Sequence, residues 1–378
     1  MENYGNELKN LIAELNSGRA TEAPAPPASA NLDPLLAFAA ARGASDLLLV
    51  AGAPMAIRID GRLALPKAEP LDEEEIRGLL LPLLNPRQIQ DLQRERSADF
   101  SFNRESGRFR ANIHYQRGTL AGSIRILPTR VPTLESLHLP PGLARLAEAR
   151  QGLVLVTGAT GSGKSSTLAA LIDLINTRRR DHVVTLEDPV EFVHANRSSI
   201  VEQIEVGVDA PDFAGSLRSI VRQNPDVILV GEMRDPETIA TAITAAETGH
   251  LVLSTLHTND TSQAVSRILD AFPPASQPQV RQQFSLAMLA VVAQQLVPAK
   301  EGGGRYPAVE LMLGTHAVRN MIRKGDDHQL YSALSTGRAD GMSTMEQALA
   351  EMVKVGLISR ETAMAHSFRP DELPRYLR

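Results

Sequence analysis

The chain holds 378 residues, room for two or three domains of ordinary size. Apolar residues make up 43% and charged residues 22%, the balance of a soluble globular protein. Lys and Arg number 39 against 44 Asp and Glu, a net charge of −5, and there are five Tyr, nine Phe and no Trp. Apart from a local basic pore in an oligomer, that leaves neither the positive field nor the rings a nucleic-acid binder uses, so no nucleic acid is expected as a partner. Zero Cys excludes disulfides, thiolate zinc sites, iron–sulfur clusters and cysteine nucleophiles together. No apolar run reaches the roughly 18 residues of a membrane span. Met1-Glu2-Asn3-Tyr4 does not open a basic-then-apolar signal, so a cytoplasmic protein with no direct membrane insertion is expected.

Residues 1–31 open with Leu8, Leu11, Ile12 and Leu15 at the spacing of an amphipathic helix. A Pro/Ala linker, Glu22 to Ala30, follows, and the helix either docks on a partner or stays loose. Residues 32–127 read as a smaller α+β domain. A helix is predicted over Pro34–Ala41, then strands at Asp46–Val50, Ala56–Ile59 and Arg62–Leu65. An acid-led helix spans about Asp72 to Leu84, and three strands fill Phe100–Leu127 with turns at Glu105–Gly107 and Arg117-Gly118. Residues 128–142 hold four prolines and read as a linker or hinge.

Residues 143–378 alternate strand and helix, with strands at Leu153–Thr157, Val183–Leu186, Val227–Val230 and Leu251–Ser254. That order predicts an α/β fold with a mainly parallel sheet covered on both faces. From about Pro278 the chain reads as mostly helical, without strong strand signals after Glu310.

Between the first of these strands and an apolar-faced helix lies Gly158-Ala159-Thr160-Gly161-Ser162-Gly163-Lys164-Ser165, a G-x-x-x-x-G-K-[ST] phosphate loop. Its glycines let successive N–H groups converge on phosphate oxygens at a helix N-terminus. The candidate nucleotide contacts are Gly158, Ala159, Thr160, Gly161, Ser162, Gly163, Lys164, Ser165 and Ser166, with ATP and Mg²⁺ as the expected ligands. Lys164 is expected at the β/γ-phosphates and the Ser165 hydroxyl on Mg²⁺.

Three clusters surround the loop. Glu187-Asp188-Pro189-Val190-Glu191 follows a strand, and strand C-termini face the ligand crevice in this sheet class. Glu187 is therefore the candidate for orienting or deprotonating the attacking water. Asp226 to Glu232 is an apolar strand ending in an acid, with Gly231 interposed, and makes Glu232 the candidate on the Mg²⁺ side. His257 ends the next strand, where it could sense the γ-phosphate, whereas His250 stands at that strand's start. Seven residues apart, the two would face opposite ways on a continuous strand, which argues against a shared metal.

Together these segments resemble the secretion-ATPase superfamily that drives type II secretion and type IV pili. Within it the chain looks like the PilT-type twitching-motility retraction ATPases. The resemblance spans Asn31 to Arg378 and is carried by Gly43-Ala44-Ser45-Asp46-Leu47, Gly152 to Gly158 and the clusters above. It is also carried by Ala317-Val318-Arg319-Asn320-Met321-Ile322-Arg323, which looks like the AIRNLIR retraction motif.

The resemblance implies a homohexameric ring with a PAS-like N-terminal domain and a RecA-like P-loop ATPase domain, followed by a helical C-terminal region. Arg110 and Arg125 match the arginines that close over the phosphates, with Arg108 and Arg117 as alternatives. It further implies a pilus inner-membrane platform protein as partner, a PilU-like paralogue, and a cytoplasmic location peripheral to that machine. The other readings are a PilU-like or assembly ATPase, a DNA-translocating motor and a non-hydrolysing regulator. Assembly relatives usually carry four zinc-binding cysteines, and this chain has none. Two departures stand inside the pattern: Ala159 where Pro is common, and Ile204 where the family often has Arg.

Overall fold

The computed structural model describes residues 31–59, 61–66 and 68–377, so the predicted Leu8–Leu15 helix and the Pro/Ala linker lie outside the described residues. The chain divides into two compact units, one ending at Thr129 and one beginning at Arg130.

The first unit contains α1 (Asp33–Ala41), β1 (Asp46–Val50), β2 (Ala56–Ile59), β3 (Arg62–Ala64), α2 (Glu73–Leu80), α3 (Pro86–Glu95), β4 (Ser97–Arg104), β5 (Gly107–Gln116) and β6 (Thr119–Ile126). Its six strands form an antiparallel sheet in the order β3-β2-β1-β6-β5-β4. Alternation fixes the faces: Leu47, Leu49, Phe109, Ile113 and Ile124 point into a core shared with Leu36 of α1 and Ile76 and Leu80 of α2. The Asp72 carboxylate and Glu75 form a reciprocal capping box that starts α2. Helix α3 was not expected. It buries only Leu92, so hydrophobic periodicity is silent, and its signal is the Asn85–Gln88 capping box with Pro86 in the first turn.

The second unit contains β7 (Gly152–Thr157), α4 (Lys164–Arg178), β8 (His182–Glu187), β9 (Ile200–Glu205), α5 (Phe213–Ile220), β10 (Val227–Val230), α6 (Pro236–Glu247), β11 (Leu251–Leu256), α7 (Thr261–Asp270), α8 (Gln277–Ala287), β12 (Met288–Pro298) and β13 (Arg305–Leu313). Helices α9 (His316–Lys324), α10 (Leu330–Thr336), α11 (Met345–Lys354), α12 (Arg360–His366) and α13 (Leu373–Tyr376) complete it. The seven-stranded sheet runs β13-β12-β7-β11-β10-β8-β9, with all neighbours parallel except β12 and β13. Every residue of β7, β10 and β11 is buried, because each face has its own apolar layer. Leu153, Leu155 and Val230 pack against Ile239 and Ile243 of α6 and Phe284 of α8. Val154, Val156 and Leu229 pack on the other side with Leu168, Leu171 and Ile175 of α4.

Three strands of this sheet, β9, β12 and β13, were not predicted, and the helical C-terminal region begins only at His316. Strand β12 follows α8 without an intervening turn residue, so nothing in the sequence marks the change from helix to strand. The stretch 128–142, expected as a linker, is split. Pro128 and Thr129 stay with the first unit, while Leu139 is buried in the second with Leu134 and Leu137 packed beside it. Proline removes hydrogen-bond donors but does not stop the leucines between prolines from being buried.

Glu310 on β13 holds two helix starts at once. Its buried carboxylate accepts from the N–H and hydroxyl of Thr261 on α7 (2.9 and 2.8 Å) and from the N–H of Met345 on α11 (3.2 Å). Burial raises its pKa, and these hydrogen bonds pull it back down. Glu310→Ala strands these donors in the interior. We expect a loss of about 2–4 kcal/mol, read as a lower denaturant midpoint at unchanged slope.

Candidate nucleotide site

The parallel register brings the sequence-predicted residues of the second unit to one edge of the sheet. Leu186 pairs with Val230, Val230 with Ser254, and Ser254 with Leu155, so β7, β11, β10 and β8 end side by side. The phosphate loop leaves β7, His257 follows β11, Glu232 follows β10, and Glu187 closes β8. Strand C-termini carry the ligand crevice in open sheets of this kind.

Within the loop, Ser162 and Lys164 are buried, while Ala159, Thr160, Gly161 and Ser165 face solvent. Gly158 adopts φ 145°. A Cβ there would lie 2.2 Å from the Gln294 carbonyl oxygen of β12 and 2.6 Å from the Ser162 hydroxyl. Lys164, the first residue of α4, donates from Nζ to the carbonyls of Gly158 (2.8 Å) and Ala159 (3.0 Å). Burial lowers its pKa, with the carboxylates of Glu191 and Glu232 acting in the opposite sense. Thr157 ties the loop's strand to the segment after β11: its hydroxyl donates to the Thr258 carbonyl (2.6 Å) and accepts from the Thr258 N–H (2.9 Å).

Glu187 receives hydrogen bonds on Oε1 from the Thr185 hydroxyl (2.7 Å) and the Gln203 amide (3.3 Å). Burial nonetheless pushes its carboxyl up to about 7. It lines a small cavity of about 40 Å³ with Ser165, His194, Gly231 and Thr255, enough space for a water. His194 was not anticipated; burial takes its imidazole down to about 4, so it is neutral at physiological pH. Gln203, on edge strand β9, also accepts from the His194 N–H (2.8 Å) and donates to the Phe192 carbonyl (2.9 Å). It thereby fastens the segment after Glu187 to the sheet.

Gly231 continues the strand spacing, its N–H donating to Leu186 O (2.8 Å) and its carbonyl accepting from Thr255 Oγ1 (2.6 Å). Beyond it, the Glu232 carboxylate meets Arg234 Nε at 2.8 Å and His257 Nε2 at 3.7 Å. His257 is half exposed, whereas His250 is held at the start of β11 by a ring-nitrogen contact to Ala245 O (2.9 Å). Ile204, where Arg is common, packs against the apolar layer that includes Leu217 of α5. An apolar residue therefore suits its place.

In the first unit, Arg110 stands directly across from Arg125 on β5 and β6, and Arg125 across from Asp46 on β1. Arg125 Nε lies 3.1 Å from the Asp46 carboxylate, which also meets Arg58 at 3.5 Å. All four belong to the sheet face away from the core, as alternation with Ile124 and Ala111 requires. Of the alternatives, Arg108 donates to Asn103 and Ser101 on β4, and Arg117 occupies the β5–β6 turn at φ 49°. The Ala317–Arg323 segment forms most of α9, capped by the Thr315 hydroxyl. Its Val318 and Ile322 are buried and its Arg323 is exposed.

The chain is similar to known proteins. The profile of the family described as Type II/IV secretion system protein matches residues 136–356. The chain is 44% identical over 338 residues to the type IV pilus retraction ATPase PilT of Pseudomonas aeruginosa, covering 89% of this chain and 98% of that one. It is 40% identical over 340 residues to the type IV pilus ATPase PilU of the same organism, covering 90% and 89%. A crystal structure of the pilus retraction motor PilT with bound ADP matches with a TM-score of 0.84 at 45% identity, covering 90% of this chain and 98% of that one. With its phosphate loop, acidic strand ends and histidine on one sheet edge, the chain belongs to the type II/IV secretion system protein family.

Proposed function

We propose that the chain is an ATPase that powers type IV pilus retraction, working as a homohexameric ring on Mg²⁺-ATP. The observation that carries this reading is the convergence of the loop, Glu187, Glu232 and His257 on one sheet edge, in a chain 44% identical to PilT over nearly its whole length. The loop N–H groups and Lys164 hold the β/γ-phosphates. Ser165 offers a hydroxyl and Glu232 a carboxylate, the hard oxygen donors that suit Mg²⁺ when phosphates complete its shell. When bound, Mg²⁺ supplies charge neutralisation across the phosphates.

Glu187 takes the proton of the attacking water. A carboxylate raised to about 7 is still substantially ionised at neutral pH and is a stronger base than an exposed one. His257, half exposed beside Glu232, senses the γ-phosphate. Arg110 and Arg125, side by side on their sheet face, neutralise phosphate charge. In this reading the residues of the first unit form the PAS-like domain and those of the second the RecA-like domain. The ring works in the cytoplasm on an inner-membrane platform protein, alongside a PilU-like paralogue. No helix among the described residues is long and apolar enough to cross a membrane.

Specific ATPase activity is expected to rise with protein concentration and then level off, with Lys164→Ala as the blank. Constant specific activity down to monomeric concentrations would remove the ring. The PilU-like alternative, at 40% identity, is separated by Arg319→Ala and Asn320→Ala. Retraction that survives both variants, with ATP hydrolysis intact, would favour it.

A further inference from the structure

We propose that Gln294 is a positioning residue of the phosphate loop, holding from behind the peptide whose N–H faces the nucleotide. Gln294 sits on β12, next to β7 in the sheet, and its side chain is buried. Its amide nitrogen donates to the Ser162 carbonyl (2.8 Å), and its amide oxygen accepts from the Thr167 hydroxyl (2.7 Å) one turn into α4. One side chain therefore bridges the loop to the helix that follows it.

The consequence comes from the planarity of the peptide bond. In a trans peptide the C=O and the following N–H point in opposite directions. A Ser162 carbonyl held towards β12 aims the Gly163 N–H the other way, into the concave side of the loop where phosphate oxygens are received. Without the Gln294 amide the peptide could rotate, and a loop carbonyl turned inwards would repel phosphate. The Thr167 hydroxyl shares its one hydrogen with the Gly163 carbonyl at 3.1 Å, and that carbonyl also accepts from the Thr167 N–H (3.0 Å), so Thr167 contacts the peptides on both sides of Gly163 directly or through Gln294.

The adjacent residue marks the division of labour on β12. Gln295 points to the other face, where its amide donates to the His366 carbonyl of α12 (2.8 Å). Gln294 serves the loop and Gln295 the C-terminal helices.

The inference rests on the loop's role as a phosphate cradle, and the test separates the two. Equilibrium binding of Mg²⁺-ATP and ADP, kcat, KM and melting temperature are measured on the full chain. For Gln294→Met, which keeps the volume and loses both hydrogen bonds, nucleotide Kd and KM should rise about tenfold or more, from the misplaced loop donor. The kcat at saturating ATP should stay near wild type. Gln295→Ala should bind nucleotide as wild type does. Should Gln294→Met not fold, Gln294→Glu carries the same test. It keeps the acceptor for Thr167, removes the donor to Ser162, and should bind nucleotide more weakly still.

Wild-type Kd in a folded Gln294 variant overturns the inference and leaves the cradle standing. A fall in kcat with Kd unchanged also overturns it. Failure of the wild-type chain to bind nucleotide more tightly than Lys164→Ala overturns the cradle, and the inference with it.

Discussion

Glu187→Gln is expected to lower kcat at least about a hundredfold without weakening nucleotide binding, the usual scale for losing a positioned base. Gln keeps the volume and can still accept from Thr185 and Gln203 through its amide oxygen, so the end of β8 should hold its shape. What disappears is the capacity to take a proton. The same residue sets the pH dependence. A general base works only when ionised, and Glu187 is raised to about 7 by burial, against the hydrogen bonds from Thr185 and Gln203. Activity measured as kcat/KM should therefore fall as pH drops through about 7, where an ordinary exposed glutamate would stay ionised to well below 5. Thr185→Val removes the shorter of the two hydrogen bonds and should move that acid limb to higher pH. The residual activity of Glu187→Gln should lack the limb. An unshifted profile in Thr185→Val, or a limb that persists in Glu187→Gln, would take the proton-accepting role away from this carboxylate.

The second large effect concerns Gly158, and it is steric. A methyl group there would lie 2.2 Å from the Gln294 backbone carbonyl, which belongs to a buried strand and cannot swing aside. Overpacking against a fixed backbone and a backbone angle disfavoured for L-residues add together, so Gly158→Ala should cost about 3–5 kcal/mol of stability. Gly161→Ala supplies the contrast. Gly161 also has positive φ, at 79°, but nothing lies within 4 Å of its would-be Cβ. Only the left-handed backbone penalty remains, about 1–2 kcal/mol. Urea denaturation of both variants measures the difference directly. Equal losses would mean that the loop's glycines are required for conformation alone and that the approach of β12 is irrelevant.

Burial decided which parts of this molecule could be read from its sequence. The four strands that carry the phosphate loop, Glu187, Glu232 and His257 were legible because each is an apolar run ending at a chemically distinctive residue. The antiparallel strands of the first unit were legible from alternation and from turn residues such as Arg117-Gly118. Helix α3 escaped because it buries only Leu92, leaving the capping residues as its whole signal. Strand β12 escaped for the opposite reason. It is apolar almost throughout and continuous with α8, so neither periodicity nor a break announces it.

The sequence by itself determined the chemistry: a G-x-x-x-x-G-K-S loop, an acid at each of two strand ends, a histidine at a third, and no cysteine to suggest otherwise. These are local facts, set by residue type and by spacing along one segment. Only the tertiary structure decided what holds those groups in place. Gln294 lies 130 residues beyond the loop's Lys164 and is a plain amide with no motif around it, and Gln203 lies 16 residues beyond the Glu187 it serves. Both reach their partners because parallel strands become neighbours in the sheet, and for Gln294 one buried amide then meets a carbonyl and a hydroxyl together. The elevated proton affinity of Glu187 has the same origin: it comes from removing a carboxylate from water, and that happens only once the chain has closed around it.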